Sequence, residues 1–332
     1  MATIQIVGAG PSGSAGAIAA LSEGAAVQIS ERRRSARHRV CGEFIPAEAV
    51  PILQELGVWK QFLQRSPARI SHCALYSGGR LKQWHLELPG YGLSRLEFDR
   101  LLVERAVCLG GRLKTGDTFH AAERHKGQPL ILAIGRNKNA ARGQRLVGFK
   151  AHFQGPTDDA VELYFSRWGY VGVSTVENNL TNVCGIAPED VLKAFAFQID
   201  EYLEADPALA ARISPLSRTM DWLYACPLIF SSVPGRPVDG ENVYPAGDAL
   251  GFLDPFTGAG ILSALLTGRM AGIAAARLGP PDEHVRDCRR RLAKPFTTAR
   301  VLRVAVNAHL TPLTAFIPGS WLYRLTRPQV LA

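Results

Sequence analysis

The chain has 332 residues, 47% of them hydrophobic and 20% charged, a composition that excludes a disordered protein and allows a large core and two domains. The formal net charge is +9. Because no nucleic-acid motif is present, this charge favours an anionic cofactor, an anionic substrate or an acidic membrane surface over nucleic acid. The six cysteines form no CxxC pair, which argues against a zinc site or disulfide framework and favours a cytoplasmic protein. Neither a signal peptide nor an apolar run of membrane-spanning length is apparent.

The first 31 residues carry the most informative pattern. A strand, a glycine-rich turn, a helix of small residues and a second strand are predicted in succession, at residues 2–8, Gly8-x-Gly10-x-x-Gly13, 11–23 and 26–30. The three glycines allow a tight turn, close approach of the backbone to a pyrophosphate, and close packing of the helix on the strand. The helix N-terminus offers N–H groups to phosphates, and Glu31 stands where a carboxylate would bind ribose hydroxyls. The pattern predicts a dinucleotide site, for either NAD or FAD.

The remaining elements follow in an order that a simple NAD dehydrogenase would not show. Helices are predicted at 46–59, 94–108, 188–203, 207–213 and 259–278, and the tail over 282–325 is basic and helical in tendency. Strands are predicted at 129–133, 147–153, 161–165, 170–176, 180–186 and 242–246, with a hairpin over 69–88 around Ser77-Gly78-Gly79. A β-rich segment therefore interrupts the nucleotide domain twice.

A second glycine-rich segment lies late in the chain, at Gly247-Asp-Ala-Leu-Gly-Phe-Leu-Asp-Pro-Phe-Thr-Gly-Ala-Gly-Ile261. A predicted strand ends at its Gly-Asp pair, a turn with proline follows, and a Gly-Ala-Gly stretch opens the next helix. Together with Gly8-Ala-Gly-Pro-Ser-Gly-Ser14 and Leu93-Ser-Arg-Leu-Glu-Phe-Asp-Arg-Leu-Leu102, this segment resembles the FAD-dependent superfamily of aromatic hydroxylases, geranylgeranyl reductases and flavin-dependent halogenases. The similarity covers most of residues 1–290.

The resemblance implies FAD as the cofactor and indicates which residues would bind it. In the family, the Asp of the Gly-Asp motif contacts the ribityl chain, and the proline and helix start lie beside the flavin ring. N–H groups at that helix start would stabilise the negative charge of a reduced flavin. The expected cofactor residues are Gly8, Gly10, Pro11, Ser12, Gly13, Glu31, Arg32, Arg39, Cys41, Arg95, Gly135, Gly247, Asp248, Pro255, Gly258, Ala259 and Gly260. Cys41, Pro255 and Gly258 are the candidates for a catalytic role, and no metal site is expected.

The fold that the resemblance implies is α/β (α+β), with a Rossmann-like FAD-binding domain on a βαβ core, an interrupting β-sheet substrate domain and a helical C-terminus. The FAD-binding domain would comprise residues 1–68, 92–145 and 236–290. The substrate domain would comprise residues 69–91 and 146–235. The tail over 291–332 is expected to be either a helix pair docked on the domain or a peripheral contact with a membrane surface.

Departures from the family patterns restrict the reaction. Many aromatic hydroxylases carry a Gly-Ala-Asp-Gly stretch whose Asp serves FAD and NADPH, whereas this chain reads Leu132-Ala-Ile-Gly-Arg136 there. The missing Asp puts direct reduction by bound NADPH or NADH in doubt and leaves a partner reductase as an alternative. The Trp-x-Trp-x-Ile-Pro segment and active-site lysine of the halogenases are not apparent, nor is the Tyr-x-Trp-x-Phe-Pro segment of the geranylgeranyl reductases.

Several functions remain open from the sequence. The favoured one is monooxygenation of a hydrophobic small molecule of polyketide, aromatic or isoprenoid type, with His72, His85, His152 and Tyr170 as candidate bases. The alternative is reduction of a C=C bond of the geranylgeranyl reductase type, with Cys41 as the acid. A non-catalytic module that binds flavin or nucleic acid, and an NAD(P) dehydrogenase, are the further alternatives.

Overall fold

The computed structural model describes residues 3–120, 127–136, 145–166, 169–228, 230, 240–307 and 318–330. The strands, in chain order, are β1 (Ile4–Val7), β2 (Val27–Glu31), β3 (Phe44–Ile45), β4 (Ala68–Ser77), β5 (Arg80–Gly92), β6 (Arg112–Thr115), β7 (Leu130–Leu132), β8 (Leu146–Gln154), β9 (Ala160–Ser166), β10 (Gly169–Thr175), β11 (Leu180–Pro188), β12 (Ser217–Arg218), β13 (Leu223–Leu228) and β14 (Val243–Pro245). The helices are α1 (Pro11–Ser22), α2 (Val50–Glu55), α3 (Trp59–Gln64), α4 (Arg95–Cys108), α5 (Glu189–Ala194), α6 (Ile199–Glu204), α7 (Pro207–Ile213), α8 (Gly260–Ala276), α9 (Pro281–Asn307) and α10 (Gly319–Leu325).

Five short strands form a parallel sheet in the order β14-β7-β1-β2-β6. Its central strand, β1, is followed by α1 and then by the neighbouring parallel strand β2, which is the βαβ unit predicted from the first 31 residues. The sheet is buried among helices, so that Ile4, Ile6 and Ile29 are almost inaccessible. The predicted α/β fold with a Rossmann-like core is confirmed.

Two glycines fix the turn between β1 and α1. Gly8 has a φ of +102°, and a Cβ atom there would lie 2.3 Å from the carbonyl oxygen of Ala133. A Cβ atom at Gly13 would lie 1.8 Å from the carbonyl oxygen of Gly8. Both positions therefore exclude any side chain, because α1 starts in direct contact with the strand that it follows.

Helices α1 and α8 pack backbone against backbone. A Cβ atom at Gly268 would lie 2.1 Å from the carbonyl oxygen of Ser12, and one at Gly272 would lie 2.3 Å from that of Gly16. Because both residue numbers rise together along the contact, the two helices run in the same direction. Their N-termini consequently point toward the same side of the parallel sheet.

The larger sheet has nine strands, in the order β12-β8-β11-β10-β9-β4-β5-β3, with β13 also paired to β8. All pairs are antiparallel except β4 with β9. The predicted hairpin is β4 and β5, which are joined by Gly78 and Gly79, both with positive φ. Side chains on one face pack against α5, α6 and α7, with Phe149, Val171 and Val183 in the core.

Some predicted elements differ from the structure. The helix predicted over 188–203 is two helices, α5 and α6, because Ala196 and Phe197 adopt left-handed backbone angles between them. The helix predicted over 46–59 is a single 3-10 turn at Ala47–Ala49 followed by α2. The sequence analysis did not predict four short strands, β3, β6, β12 and β13.

The C-terminal helix α9 packs on the protein through one face. Cys288, Leu292, Phe296 and Ala299 are buried there in a common cluster with Leu250. This contact favours the docked-helix interpretation of the tail. Within the described ranges, no helix combines the length and the apolar character that crossing a membrane would require.

Candidate cofactor and substrate site

A cavity of about 1230 Å³ lies between the two sheets. Most of its walls come from the turn after β1, residues 30–44, the segment after β14 and one face of the nine-stranded sheet, and further lining residues include Arg95 and the C-terminal residues Tyr323 and Arg327. The size and mixed lining suit a large cofactor together with a small-molecule ligand.

Two helix N-termini open into this cavity. The N-cap residues are Gly10 for α1 and Ala259 for α8, and no side chain of the described residues caps either helix start. Gly10, Ser12 and Gly260 line the cavity. A Cβ atom at Gly10 would have only the Nη2 atom of Arg95 within 4 Å, at 3.9 Å, so it would project into open space. Uncapped N–H groups and positive dipole ends fit an anionic cofactor at both places.

Glu31 and a group of arginines line the cavity beside α1. The Glu31 carboxylate accepts hydrogen bonds from the backbone N–H groups of Ala9, at 3.0 Å, and Arg33, at 3.1 Å, and so joins the glycine turn to the end of β2. Arg32 and Arg39 lie on the same wall. Burial, and then the nearby charge of Arg95, lower the pKa of Arg39. Positive charge concentrated here suits the phosphates of a dinucleotide.

Arg95 lies at the start of α4, on the cavity wall, in a bidentate ion pair. Its Nε and Nη2 atoms donate to the two carboxylate oxygens of Asp99 at 2.7 and 2.8 Å. Burial acts to lower the pKa of Arg95, but the Asp99 charge and hydrogen bonds outweigh it and raise the pKa. Asp99 therefore holds the guanidinium beside Gly10, where phosphate contact was predicted.

The segment after β14 forms the opposite wall. Gly247 has a φ of +62°, and its N–H donates to the hydroxyl of Thr267 at 2.9 Å. Asp248 faces the cavity. Burial raises the pKa of Asp248, against the opposing charges of Arg95 and Arg136. Burial removes part of the solvation of this carboxylate, and no donor in the described part of the chain hydrogen-bonds to it, which fits the predicted contact with ribityl hydroxyls.

The structure brings the predicted site residues together. All the expected cofactor residues line the cavity except Gly13 and Ala259. Gly13 packs on Gly8 behind the wall, and Ala259 is fully buried at the start of α8. Their contribution is to place the helix starts rather than to touch a ligand.

Cys41 lies where the chain crosses from the dinucleotide side of the cavity to the larger sheet. Its Sγ atom accepts from the N–H of Glu43 at 3.4 Å, and its carbonyl oxygen accepts from the Asn182 side chain at 3.2 Å. Burial raises the pKa of the Cys41 thiol. The group is therefore a protonated thiol at neutral pH, not a thiolate nucleophile.

Behind Cys41 is a buried polar cluster that the sequence analysis missed. Glu43 pairs with Lys150 and accepts a hydrogen bond from Nε2 of His152 at 2.7 Å and another from the N–H of Arg95 at 2.7 Å. His38 lies edge-on to His152, with ring centroids 4.9 Å apart. The spacing of His38, Glu43 and His152 would permit a metal ion, but the Lys150 ammonium already neutralises the carboxylate. A lysine within the apolar strand β8 was the signal for a buried ion pair.

The sheet face that lines the cavity is mainly apolar. Strand pairing places three rows of side chains on this face, and their cavity-lining members are Cys73, Leu75, Ser77, Val161, Leu163, Phe165, Tyr170, Ser174, Cys184 and Ile186. Gly172 lies at the centre, between Leu163 and Cys184, and leaves a recess. This face is the wall against which an apolar ligand would pack.

The predicted base candidates are mostly outside this cavity. His72 and His85 contact each other, with ring centroids 4.0 Å apart, and His72 also pairs with Asp159. Neither histidine lines the cavity. His152 is buried against Glu43, and burial raises the pKa of the cavity-lining Tyr170 well above its ordinary value. Of the four candidates, only Tyr170 lines the cavity.

Comparison with known proteins gives the cofactor. The family model described as FAD binding domain matches residues 1–138. The chain is therefore a flavoprotein whose cofactor is FAD. The residues of the flavoprotein cavity fit FAD, because the cavity offers two uncapped helix N-termini, a basic wall and a half-buried carboxylate to the charged and hydroxylated parts of that molecule.

Curated relatives are similar to the flavoprotein along most of its length. It is 23% identical to "Conditioned medium factor receptor 1" of Dictyostelium discoideum, over 82% of this chain and 62% of that protein. It is 27% identical to "Digeranylgeranylglycerophospholipid reductase 1" of Methanopyrus kandleri, over 84% of this chain and 82% of that protein. The chain therefore spans less than two thirds of the first relative and most of the second.

Solved structures share the whole fold. A flavoprotein/dehydrogenase from Cytophaga hutchinsonii has a TM-score of 0.79 at 14% identity, covering 98% of this chain and 90% of that one. A triple mutant of a flavin-dependent brominase has a TM-score of 0.80 at 18% identity, covering 98% of this chain and 94% of that one. At these identities the likeness establishes the fold and not the reaction.

Proposed function

We propose that the flavoprotein is a monooxygenase that acts on a hydrophobic small molecule bound between the start of α8 and the apolar face of the nine-stranded sheet. The observation that carries this proposal is the single cavity shared by both helix starts and that sheet face. A ligand on the sheet face would lie between Gly172 and the Pro255–Gly258 turn, next to the expected position of the flavin ring.

A bound and reduced FAD would supply the electrons for either oxygen activation or hydride transfer. The protein's own part is to bind and orient the substrate and to exclude water. Leu75, Leu163 and Ile186 do this with apolar side chains, and Gly258 and Gly260 leave room for the ring system. N–H groups at the start of α8 would stabilise negative charge on the cofactor.

A second candidate function is the reduction of a C=C bond, and one observation favours it. Cys41 lines the cavity with a thiol whose pKa is raised by burial, so it stays protonated and available as an acid. Two of the curated relatives from Methanopyrus kandleri are named as digeranylgeranylglycerophospholipid reductases. In this alternative, Cys41 would give its proton to one carbon of the double bond while hydride reached the other.

One experiment separates the two reactions. The yellow protein is reduced with NADPH, NADH or a chemical reductant, then mixed with an alkylphenol or with farnesol, in air and under anaerobic conditions. A product that gains one oxygen atom, only in air, supports monooxygenation. A product that gains two hydrogen atoms, without oxygen, supports the reductase and contradicts the monooxygenase.

The variant Cys41→Ser distinguishes the two reactions further. Serine is a much weaker acid than cysteine, so reduction of the double bond is expected to slow at least about 100-fold. Monooxygenation at equal flavin content is expected to change little, since that reaction needs no proton from the thiol. Flavin content is measured in each sample as the control for cofactor loss, and rapid bleaching of the flavin by NADPH would identify the electron donor.

A further inference from the structure

Arg327 is a buried cation on the cavity wall that neither proposed reaction uses. Only 7% of the residue is exposed, and it lines the cavity. Its Nη1 atom donates to the carbonyl oxygen of Thr257 at 3.0 Å. The guanidinium lies 3.9 Å from the ring centre of Tyr323 and 5.8 Å from that of Phe44. These neighbours are favourable for a cation, but none of them carries a negative charge.

Arg327 forms no ion pair within the part of the chain that the structure describes, although the charge of Glu48 acts on the neighbouring Tyr323. No carboxylate there lies within 4.0 Å of its guanidinium, and its Nε atom has no hydrogen-bond partner. By contrast, Arg324 on the neighbouring surface forms an ion pair with Glu87. An unpaired buried charge is unfavourable, so a site of this kind gains stability when an anion binds.

Two further buried donors lie beside Arg327, and neither makes a hydrogen bond of ordinary geometry to the described residues, although the hydroxyl of Tyr323 interacts with Arg327. They are Nε1 of Trp84 and the hydroxyl of Tyr323, and both residues line the same cavity. Burial raises the pKa of Tyr323, which keeps its hydroxyl protonated. The charge of Glu48 also raises the pKa of Tyr323, but Glu48 does not line the cavity. The cavity wall here therefore offers donors and positive charge.

Arg327 lies close to Gly258, in the segment after β14 that is predicted to bind the cofactor. A Cβ atom at Gly258 would lie 3.7 and 3.8 Å from its two terminal nitrogen atoms. Trp84 belongs to β5 and pairs with Cys73 on the apolar sheet face. An anion held by Arg327 would consequently lie at the junction between the apolar sheet face and the Pro255–Gly258 turn.

We propose that Arg327 binds the carboxylate or phosphate group of a substrate whose remaining part is apolar. A guanidinium matches either group through two parallel hydrogen bonds, and Tyr323 and Trp84 supply further donors nearby. The apolar body would then extend over Leu75 and Leu163 toward Gly172. This inference rests on the proposed function, since it requires that the cavity hold a substrate beside the flavin.

The test measures equilibrium binding of three probes to the FAD-loaded protein, both by calorimetry and by the change in the flavin spectrum. The probes are dodecanoate, dodecyl phosphate and dodecanol, which share one apolar chain. The wild-type protein is expected to bind at least one anion about tenfold or more tightly than the alcohol, as for hydrogen bonds to a charged group. Which anion binds better distinguishes a carboxylate substrate from a phosphate.

Three variants identify the residue responsible. Arg327→Met is expected to remove the preference for the anion while leaving binding of dodecanol unchanged. Arg327→Lys keeps the charge but not the paired donors, so it is expected to retain part of the preference. Arg324→Met is the matched control, because Arg324 is exposed and pairs with Glu87, and it is expected to keep the full preference.

Equal binding of anion and alcohol by the wild-type protein would overturn the inference, as would a preference that survives in Arg327→Met. If Arg327→Met does not fold, the wild-type comparison and Arg327→Lys still decide the question. A yellow protein without anion preference would contradict this inference alone. A protein that binds none of the three probes would instead count against the proposed function.

Discussion

Glu43 and Lys150 form an ion pair in which neither side chain has any exposed surface. Glu43 also has a φ of +56°, so its carboxylate hydrogen bonds hold a backbone conformation that a non-glycine residue seldom adopts. This pair ties the Cys41–Phe44 segment of the cavity wall to β8 of the larger sheet. The orientation of Cys41 toward the cavity depends on it.

We expect Glu43→Gln to destabilise the fold by about 3 kcal/mol or more, because it leaves the Lys150 ammonium buried without a counterion. The double variant Glu43→Gln with Lys150→Met is expected to recover most of that loss, since the amide oxygen can still accept from His152. Urea denaturation measures both free energies of unfolding. Additive losses in the double variant would contradict the proposed coupling.

The same pair predicts a dependence of stability on pH. Burial would raise the pKa of Glu43, but Lys150 and then His152 outweigh it and lower the pKa below its ordinary value of 4.5. A carboxyl group with a lowered folded-state pKa stabilises the fold above 4.5, and the contribution is lost as pH falls through the folded-state value. The wild-type urea midpoint should therefore fall more steeply below pH 4.5 than that of the double variant. Parallel midpoint curves for the two proteins would contradict this.

A substitution at Gly10 is expected to prevent cofactor binding without preventing folding. A Cβ atom at Gly10 would have Nη2 of Arg95, at 3.9 Å, as its nearest non-adjacent neighbour among the described residues, so Gly10→Val is expected to fold but to fill space intended for the FAD phosphates. The purified variant should be colourless, with a circular dichroism spectrum like that of the wild-type protein after removal of FAD. Gly13→Val is the contrasting variant, since its side chain would collide with Gly8 and prevent folding. A yellow Gly10→Val protein would contradict this account of the site.

The carboxylate of Asp248 is expected to lower the stability of the FAD-free protein and to strengthen the binding of FAD. Burial raises its pKa from an ordinary value of 3.8, so above that value the ionised carboxylate weakens the folded protein without FAD. Asp248→Asn should therefore raise the melting temperature of the FAD-free protein and weaken FAD binding about tenfold or more. Asp221→Asn, at an exposed position, is the control and should change neither quantity. Unchanged FAD affinity in Asp248→Asn would remove Asp248 from the cofactor site.

A substitution at Gly172 tests whether the apolar face of the nine-stranded sheet binds the substrate. A Cβ atom there would make ordinary contacts, the nearest at 3.5 Å to Leu163, so Gly172→Val should fold and bind FAD while filling the central recess. Binding of farnesol is expected to weaken about tenfold, in line with the cost of overpacking. Gly185→Val points its side chain into Phe149 instead and should destabilise the sheet. Normal farnesol affinity in Gly172→Val would place the ligand elsewhere.

Local patterns were sufficient to predict the βαβ unit at the start of the chain and the hairpin of β4 and β5. The glycine turn from Gly8 to Gly13 and the Gly78-Gly79 hairpin are each determined by backbone angles or close approaches that few other residues allow. The late segment was recognisable because its Gly-Asp pair, proline and helix start follow in fixed order. These features are encoded within about 15 residues each.

Contacts between distant segments could not be predicted in the same way. Glu43 and Lys150 are 107 residues apart, and nothing near either residue specifies the partner. The helix predicted over 188–203 failed because Ala196 and Phe197 adopt left-handed angles, which their residue types do not favour. Arg327 lies in a tail whose docking onto Thr257 is visible only in three dimensions.

The central claim is that the turn at Gly8–Gly13 and the start of α8 hold one FAD between them. The most direct measurement is the visible spectrum and FAD stoichiometry of the purified protein, with the Gly10→Val variant alongside. The account predicts one FAD per wild-type chain and none in the variant. A folded wild-type protein that is colourless and takes up no added FAD would contradict it.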